Sequence, residues 1–90
     1  MTEAIEARVY GKVQGVWFRK HTKMQADRLG LTGIVRNEPD GSVYVEAEGP
    51  EEQIRIFKDW LHQGSPLSRV ERVDFRRTGP KGYKSFEIIR

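Results

Sequence analysis

The stretch Gly11-Lys12-Val13-Gln14-Gly15-Val16-Trp17-Phe18-Arg19 (GKVQGVWFR) stands where one periodicity gives way to another, and that change decides the fold. Before it, Ile5, Ala7 and Val9 alternate with Glu6, Arg8 and Tyr10, and Val13 keeps the same parity beyond Gly11, which predicts a strand with one buried face. After it, Phe18, Thr22, Ala26 and Leu29 fall along one side of a helix, while Arg19, Lys20, Lys23, Asp27 and Arg28 can face water. Glycine permits positive φ and lets a ligand approach the backbone closely. The first turn of a helix offers N–H groups that have no intrahelical partner. A junction of strand, glycine loop and helix therefore predicts an anion site, with phosphate as the first expectation.

Working outward, Gly30 after Leu29 predicts a helix C-cap. Thr32–Asn37 (TGIVRN) and Ser42–Glu48 (SVYVEAE) flank Glu38-Pro39-Asp40-Gly41, whose Pro and Asp-Gly ending predict a hairpin. Val43, Val45 and Ala47 supply the buried side of its second arm. Gly49-Pro50-Glu51-Glu52 opens a second helix, because proline is tolerated at a helix start and carboxylates favour its positive end. Ile54, Phe57 and Leu61 form its apolar stripe with Trp60 alongside, and Gly64-Ser65-Pro66 ends it. Residues 70–76 predict a strand of broken parity, since Val73 and Phe75 alternate but Val70 falls on the other side; a bulge would reconcile them. Residues 83–89 predict a last short strand whose place in the sheet is open. The order strand, helix, strand, strand, helix, strand, short strand, with no internal linker, predicts one domain over residues 1–90. Its simplest burial solution is α+β: a ferredoxin-like two-layer sandwich, an antiparallel sheet with two helices on one face.

Sixteen Lys plus Arg against 13 Asp plus Glu give a formal charge of +3, which suits anionic ligands and is too weak to imply nucleic acid. The absence of cysteine excludes disulfides, thiolate chemistry and thiolate metal sites. No run approaches the roughly 18 apolar residues of a membrane span, and Met1–Ile5 lacks the basic and apolar regions of a signal peptide. The expectation is a cytoplasmic monomer that engages neither membrane nor nucleic acid.

Two segments carry a resemblance. GKVQGVWFR at Gly11–Arg19 closely resembles the signature of the acylphosphatase family, and GIVRNEPDGSVYVEAEG at Gly33–Gly49 resembles that family's second signature. The likeness spans essentially all 90 residues, including the ending GYKSFEIIR. It implies that Arg19 is a phosphate-binding arginine and that Asn37 positions the attacking water. Ile34 departs from the pattern, since many members carry an aromatic residue there, and is read as a packing change. Trp17 occupies a position that the signature leaves variable.

The chemistry also follows from residue types. A phosphoryl dianion at the helix start would meet the backbone N–H groups of Gly15, Val16, Trp17, Phe18 and Arg19, and the Arg19 fork adds paired charge-assisted donors. Such a cradle needs no metal or other cofactor, and inorganic phosphate or sulfate would compete for it. An acyl phosphate suits the site because its departing carboxylate is a weak base, its acid having a pKa of about 4 to 5 by analogy with ordinary carboxyl groups. Asn37 can accept a hydrogen bond from water but cannot act as a base at neutral pH. The resemblance implies that a substrate oxygen takes the water's proton.

Each residue alone has a plainer reading: the glycines as turn positions, Arg19 as a solvated helix residue, Asn37 as a turn-former before Glu38-Pro39. Their joint occurrence favours the site. His21 and His62 are far apart and lack a metal-binding constellation, so surface or packing roles are expected. Ser65 and Ser68 have no nucleophile context, Asp40 and Gly41 make the turn, Trp60 packs, and Tyr83 and Lys84 are strand or surface positions. Two other classes remain open: an RNA-binding module, which Glu46 and Glu48 argue against on the central strand GSVYVEAEG, and a ligand-binding regulatory domain without turnover.

Overall fold

The computed structural model describes residues 1–90, and its elements are β1 (Thr2–Lys12), α1 (Phe18–Arg28), β2 (Thr32–Asn37), β3 (Val43–Pro50), α2 (Glu51–Gln63), β4 (Arg69–Thr78) and β5 (Phe86–Ile89). The sheet order is β4-β1-β3-β2-β5. β1 through β4 pair antiparallel, as the alternating patterns predict, and β5 joins the far edge parallel to β2. The sheet is thus mixed, and the last strand starts at Phe86 rather than Tyr83. Both helices pack on one face, over Ile5, Ala7, Val9, Val35, Val43, Val45 and Ala47. Phe57 of α2 has no exposed surface and meets Phe86 edge-on at 6.0 Å; truncating such a side chain costs about 3–5 kcal/mol. Trp60 packs as expected, 5.6 Å from Phe18 and 6.5 Å from Phe57 between ring centroids. No helix is long and apolar enough to cross a membrane.

The broken parity of the fourth strand has the anticipated cause. Tyr10 pairs with Arg72 and the next residue, Gly11, pairs with Val70, so Glu71 is the extra residue of a bulge. The bulge returns Val70 to the side of Val73 and Phe75, and all three pack against the core. Gly11 therefore serves the sheet rather than the loop: a Cβ there would lie 2.1 Å from the Arg69 carbonyl oxygen. The end of α1 is also as expected. Gly30 has φ 71°, the Leu31 N–H reaches Ala26 O at 2.9 Å and the Gly30 N–H reaches Asp27 O at 3.1 Å, the double bond of a Schellman motif.

The helix-free face is polar and partly strapped. Between β4 and β5 the chain crosses it, and Glu48, only 7% exposed, accepts the backbone N–H groups of Lys81 and Gly82 at 2.6 and 3.1 Å. Glu46 takes Lys81 Nζ and the Tyr83 hydroxyl at 2.7 Å each on Oε1, and the Tyr44 hydroxyl at 2.7 Å on Oε2. Burial alone would raise the Glu46 pKa, but these donors outweigh it and hold the carboxyl below its usual range. The hydrogen bond to Glu46, with some burial, pushes Tyr83 up to about 12. Tyr44 lies between the guanidinium groups of Arg8 and Arg36, at 5.5 and 4.5 Å from its ring centre, so its ring face is already occupied by protein cations.

Candidate active site

One end of the helix-covered layer gathers both sequence motifs. A cleft of about 270 Å³ is lined by Val13, Gly15, Trp17, Phe18, Arg19 and Asn37. The β1–α1 loop supplies Val13, Gly15 and Trp17, the first turn of α1 supplies Phe18 and Arg19, and Asn37, the last residue of β2, supplies the sixth. Val16 lies just beneath, buried at 6% exposure. Phe18 is 1% exposed and fixes the start of α1 in the core.

The loop backbone is shaped for convergence. Gly15 has φ 72° and Trp17 has φ 62°, with Val16 between them on the negative side. Alternation of this kind turns successive N–H groups toward a common centre, the nest that accommodates anions. The N–H groups of Gly15, Val16 and Trp17 donate to no other backbone group. Gly15 needs its conformation rather than extra space, because a Cβ there would meet nothing within 4 Å. Trp17 is the only non-glycine residue of the chain with positive φ, and its ring is 65% exposed at the rim. Such a conformation is unfavourable for a bulky residue and concentrates at functional sites. Sequence gave no sign of it, because a tryptophan at a variable position carries no signature of left-handed backbone.

The walls of the cleft are set by long-range contacts. Gln14 Nε2 donates to both Glu38 O and Ser42 O at 2.9 Å, tying the loop to the β2–β3 turn that follows Asn37. Glu38 is clamped in turn by Arg8 Nη1 at 3.2 Å and Arg36 Nε at 2.9 Å. The hydrogen bond from Arg36 is the main cause that holds the Glu38 carboxyl below its usual range, with Arg8 adding to it against the effect of burial. Arg19 is half-buried, and its Nη1 donates to Ile89 O at 3.4 Å, so the last strand orients its fork. Asn37 Oδ1 is buried and accepts no hydrogen bond from the protein. A buried carbonyl oxygen left free costs stability, so it is a ready acceptor for a donor in the cleft.

Two residues set aside as non-catalytic sit against this loop. Ser65 is 3% exposed, and its hydroxyl donates to Val16 O at 2.9 Å. His21 is half-buried, its ring Nδ1 lying 2.9 Å from Trp17 O; a carbonyl can only accept, so Nδ1 carries the proton. His62 lies apart, its ring 5.5 Å from Phe75. Asp40 makes the turn as expected, its Oδ1 accepting the Ser42 N–H at 2.9 Å.

The comparisons agree with one another. The acylphosphatase family model matches residues 5–88. An acylphosphatase from a Nocardioides species is 44% identical over 88 residues, covering 98% of this chain and 89% of the relative. The crystal structure of the acylphosphatase from Bacillus subtilis superposes with a TM-score of 0.95 at 36% identity, covering 100% of both chains. An acylphosphatase structure from Coxiella burnetii also gives 0.95, at 35% identity, covering 98% of this chain and 93% of that one.

Proposed function

The chain belongs to the acylphosphatase family, and from that premise we propose that its cleft hydrolyses a small acyl phosphate to a carboxylate and inorganic phosphate without a metal ion. The phosphoryl group sits in the loop Gly15–Arg19, where the backbone N–H groups of Gly15, Val16, Trp17, Phe18 and Arg19 and the Arg19 guanidinium spread its charge. Asn37 Oδ1 accepts a hydrogen bond from a water and holds it against phosphorus. The water oxygen bonds to phosphorus as the bond from phosphorus to the acyl oxygen breaks in line, the acyl group leaves as a carboxylate, and the water's proton passes to a phosphoryl oxygen. No general acid is needed, because the leaving group is a weak base. The observation that carries this reading is that one cleft collects Gly15, Trp17 and Arg19 from the first motif and Asn37 from the second.

Supporting it further are the unspent loop N–H groups and the free buried Asn37 oxygen, donors and an acceptor on the same small volume. The purified protein, in excess chelator, is expected to hydrolyse acetyl phosphate well above the spontaneous rate and to leave simple phosphate monoesters nearly untouched. Inorganic phosphate or sulfate should compete with substrate. No acceleration of acyl phosphate loss would overturn the assignment.

A further inference from the structure

A trans peptide unit points its C=O and its N–H in opposite directions, and no peptide bond of this chain is cis. Whatever holds the carbonyl of Val16 therefore aims the N–H of Trp17. The buried Ser65 hydroxyl holds that carbonyl, at 2.9 Å, from the turn between α2 and β4. Ser65 lies outside the phosphate cleft: it lines a separate cavity of about 540 Å³ with His21, Trp60, Gln63, Gly64 and Ser68. The two sides of the Val16–Trp17 peptide thus face different things, a serine behind and the candidate phosphate site in front.

The next peptide unit is fixed in the same sense by the helix itself. Trp17 O accepts the backbone N–H of His21 at 3.0 Å, which turns the Phe18 N–H toward the loop side. The Val16–Trp17 unit lies before the helix and has no helical bond to orient it, and Trp17 holds an unfavourable left-handed conformation. A side chain from outside the loop supplies the missing constraint. Ser65 is itself held rigidly: its carbonyl accepts both the Ser68 N–H at 3.0 Å and the Ser68 hydroxyl at 2.7 Å. The preceding Gly64 packs tightly enough that a Cβ there would lie 2.4 Å from Ser68 Oγ and 3.2 Å from the Phe18 ring.

We infer that Ser65 is a positioning residue for phosphoryl binding: by holding the Val16 carbonyl it keeps the Trp17 N–H aimed into the anion cradle. The inference rests on the reading of the Gly15–Arg19 loop as that cradle. Without the hydroxyl the peptide can rotate, and one donor is lost from ground state and transition state alike, so KM and the phosphate inhibition constant should rise with less change in kcat. The loss of one oriented hydrogen bond corresponds to about a tenfold weakening of phosphate.

The test measures competitive inhibition by inorganic phosphate, KM and kcat for acetyl phosphate in wild type, S65A, S65T and S65V, with folding checked by circular dichroism. The expected result is a roughly tenfold higher inhibition constant in S65A and S65V and recovery toward wild type in S65T, which restores the hydroxyl at the same bulk as valine. Equal inhibition constants in S65T and S65V, or an unchanged constant in S65A, would overturn the role of Ser65 and leave the cradle standing. Absence of phosphate competition in the wild-type protein would instead overturn the cradle reading, and this inference with it.

Discussion

Two loops meet at the same end of the sheet and use their polar groups in opposite ways. In the β2–β3 turn nearly everything is spent internally: the Glu38 N–H reaches Ser42 O at 2.8 Å, the Gly41 N–H reaches Glu38 O at 3.1 Å, Asp40 takes the Ser42 N–H, and Glu38 lies between Arg8 and Arg36. In the β1–α1 loop the N–H groups of Gly15, Val16 and Trp17 make no backbone bond, and Trp17 holds a strained conformation. Both loops contain glycine with positive φ, so glycine alone does not distinguish them. The distinction is what remains unsatisfied. A loop that closes its own hydrogen bonds is a scaffold, whereas one that keeps donors free on a rigid frame is a binding site.

The contrast can be broken most sharply at Arg19. R19K keeps the charge but loses the planar fork and its contact with Ile89 O. It is expected to lower kcat/KM by about 10³-fold or more and to raise the phosphate inhibition constant, while the thermal midpoint changes little. Phosphate inhibition unchanged in a folded R19K protein would place the anion elsewhere.

Asn37 ends the strand that leads into the turn, and its side chain belongs to the cleft. N37A should lose about 10² to 10³ in kcat, or roughly 3 to 4 kcal/mol, by analogy with removal of one oriented polar contact, while keeping most of its phosphate affinity. Circular dichroism and phosphate titration alongside turnover separate the two effects. Proportional losses of affinity and rate would move Asn37 into the binding role.

Gln14 is the tie between the loops, so Q14A sharpens the comparison by uncoupling them. Each of two carbonyls loses one donor and keeps its backbone N–H partner, which should cost about 0.5 to 1.5 kcal/mol per bond in chemical denaturation. The catalytic loss should be smaller than in N37A and fall mainly on kcat, because the cradle keeps its own N–H groups while Asn37 loses its register. An unchanged unfolding midpoint would show that the tie contributes nothing.

The smallest effect concerns the scaffold loop alone. The Glu38 carboxyl is held below its usual range by Arg36 and then Arg8, so its ionised form stabilises the folded chain above the unfolded-state pKa of about 4.3 and that contribution is lost as pH falls through the lower folded value. Denaturation of E38Q and wild type at about pH 7, 5 and 3 should show the wild-type advantage shrinking toward acid. A pH-independent gap would contradict the ion-pair account.

The fold was largely legible because its signals are local: the switch from period 2 to period 3.6 around Gly11–Arg19, the Schellman glycine at Gly30, and the parity break that the Glu71 bulge resolves. The cleft residues were legible through two motifs and a family resemblance. Long-range geometry was not. Nothing in the spacing of FEII indicates a parallel partner across the sheet, and Glu46 and Glu48 look like solvent carboxylates until the chain from Lys81 to Tyr83 is seen bound to them. Ser65 and Gln14 act on backbone carbonyls of Val16, Glu38 and Ser42. A carbonyl is present at every position of a chain, so its partner leaves no mark on residue identity.

The central claim is that the free N–H groups of the β1–α1 loop hold the phosphoryl group. Following the backbone amide resonances of the nitrogen-15-labelled protein during titration with inorganic phosphate tests it most directly. The account predicts saturable shifts at Gly15, Val16, Trp17, Phe18 and Arg19, with Asp40, Gly41 and Ser42 nearly unmoved. Saturable binding that leaves the five loop amides unshifted would contradict it.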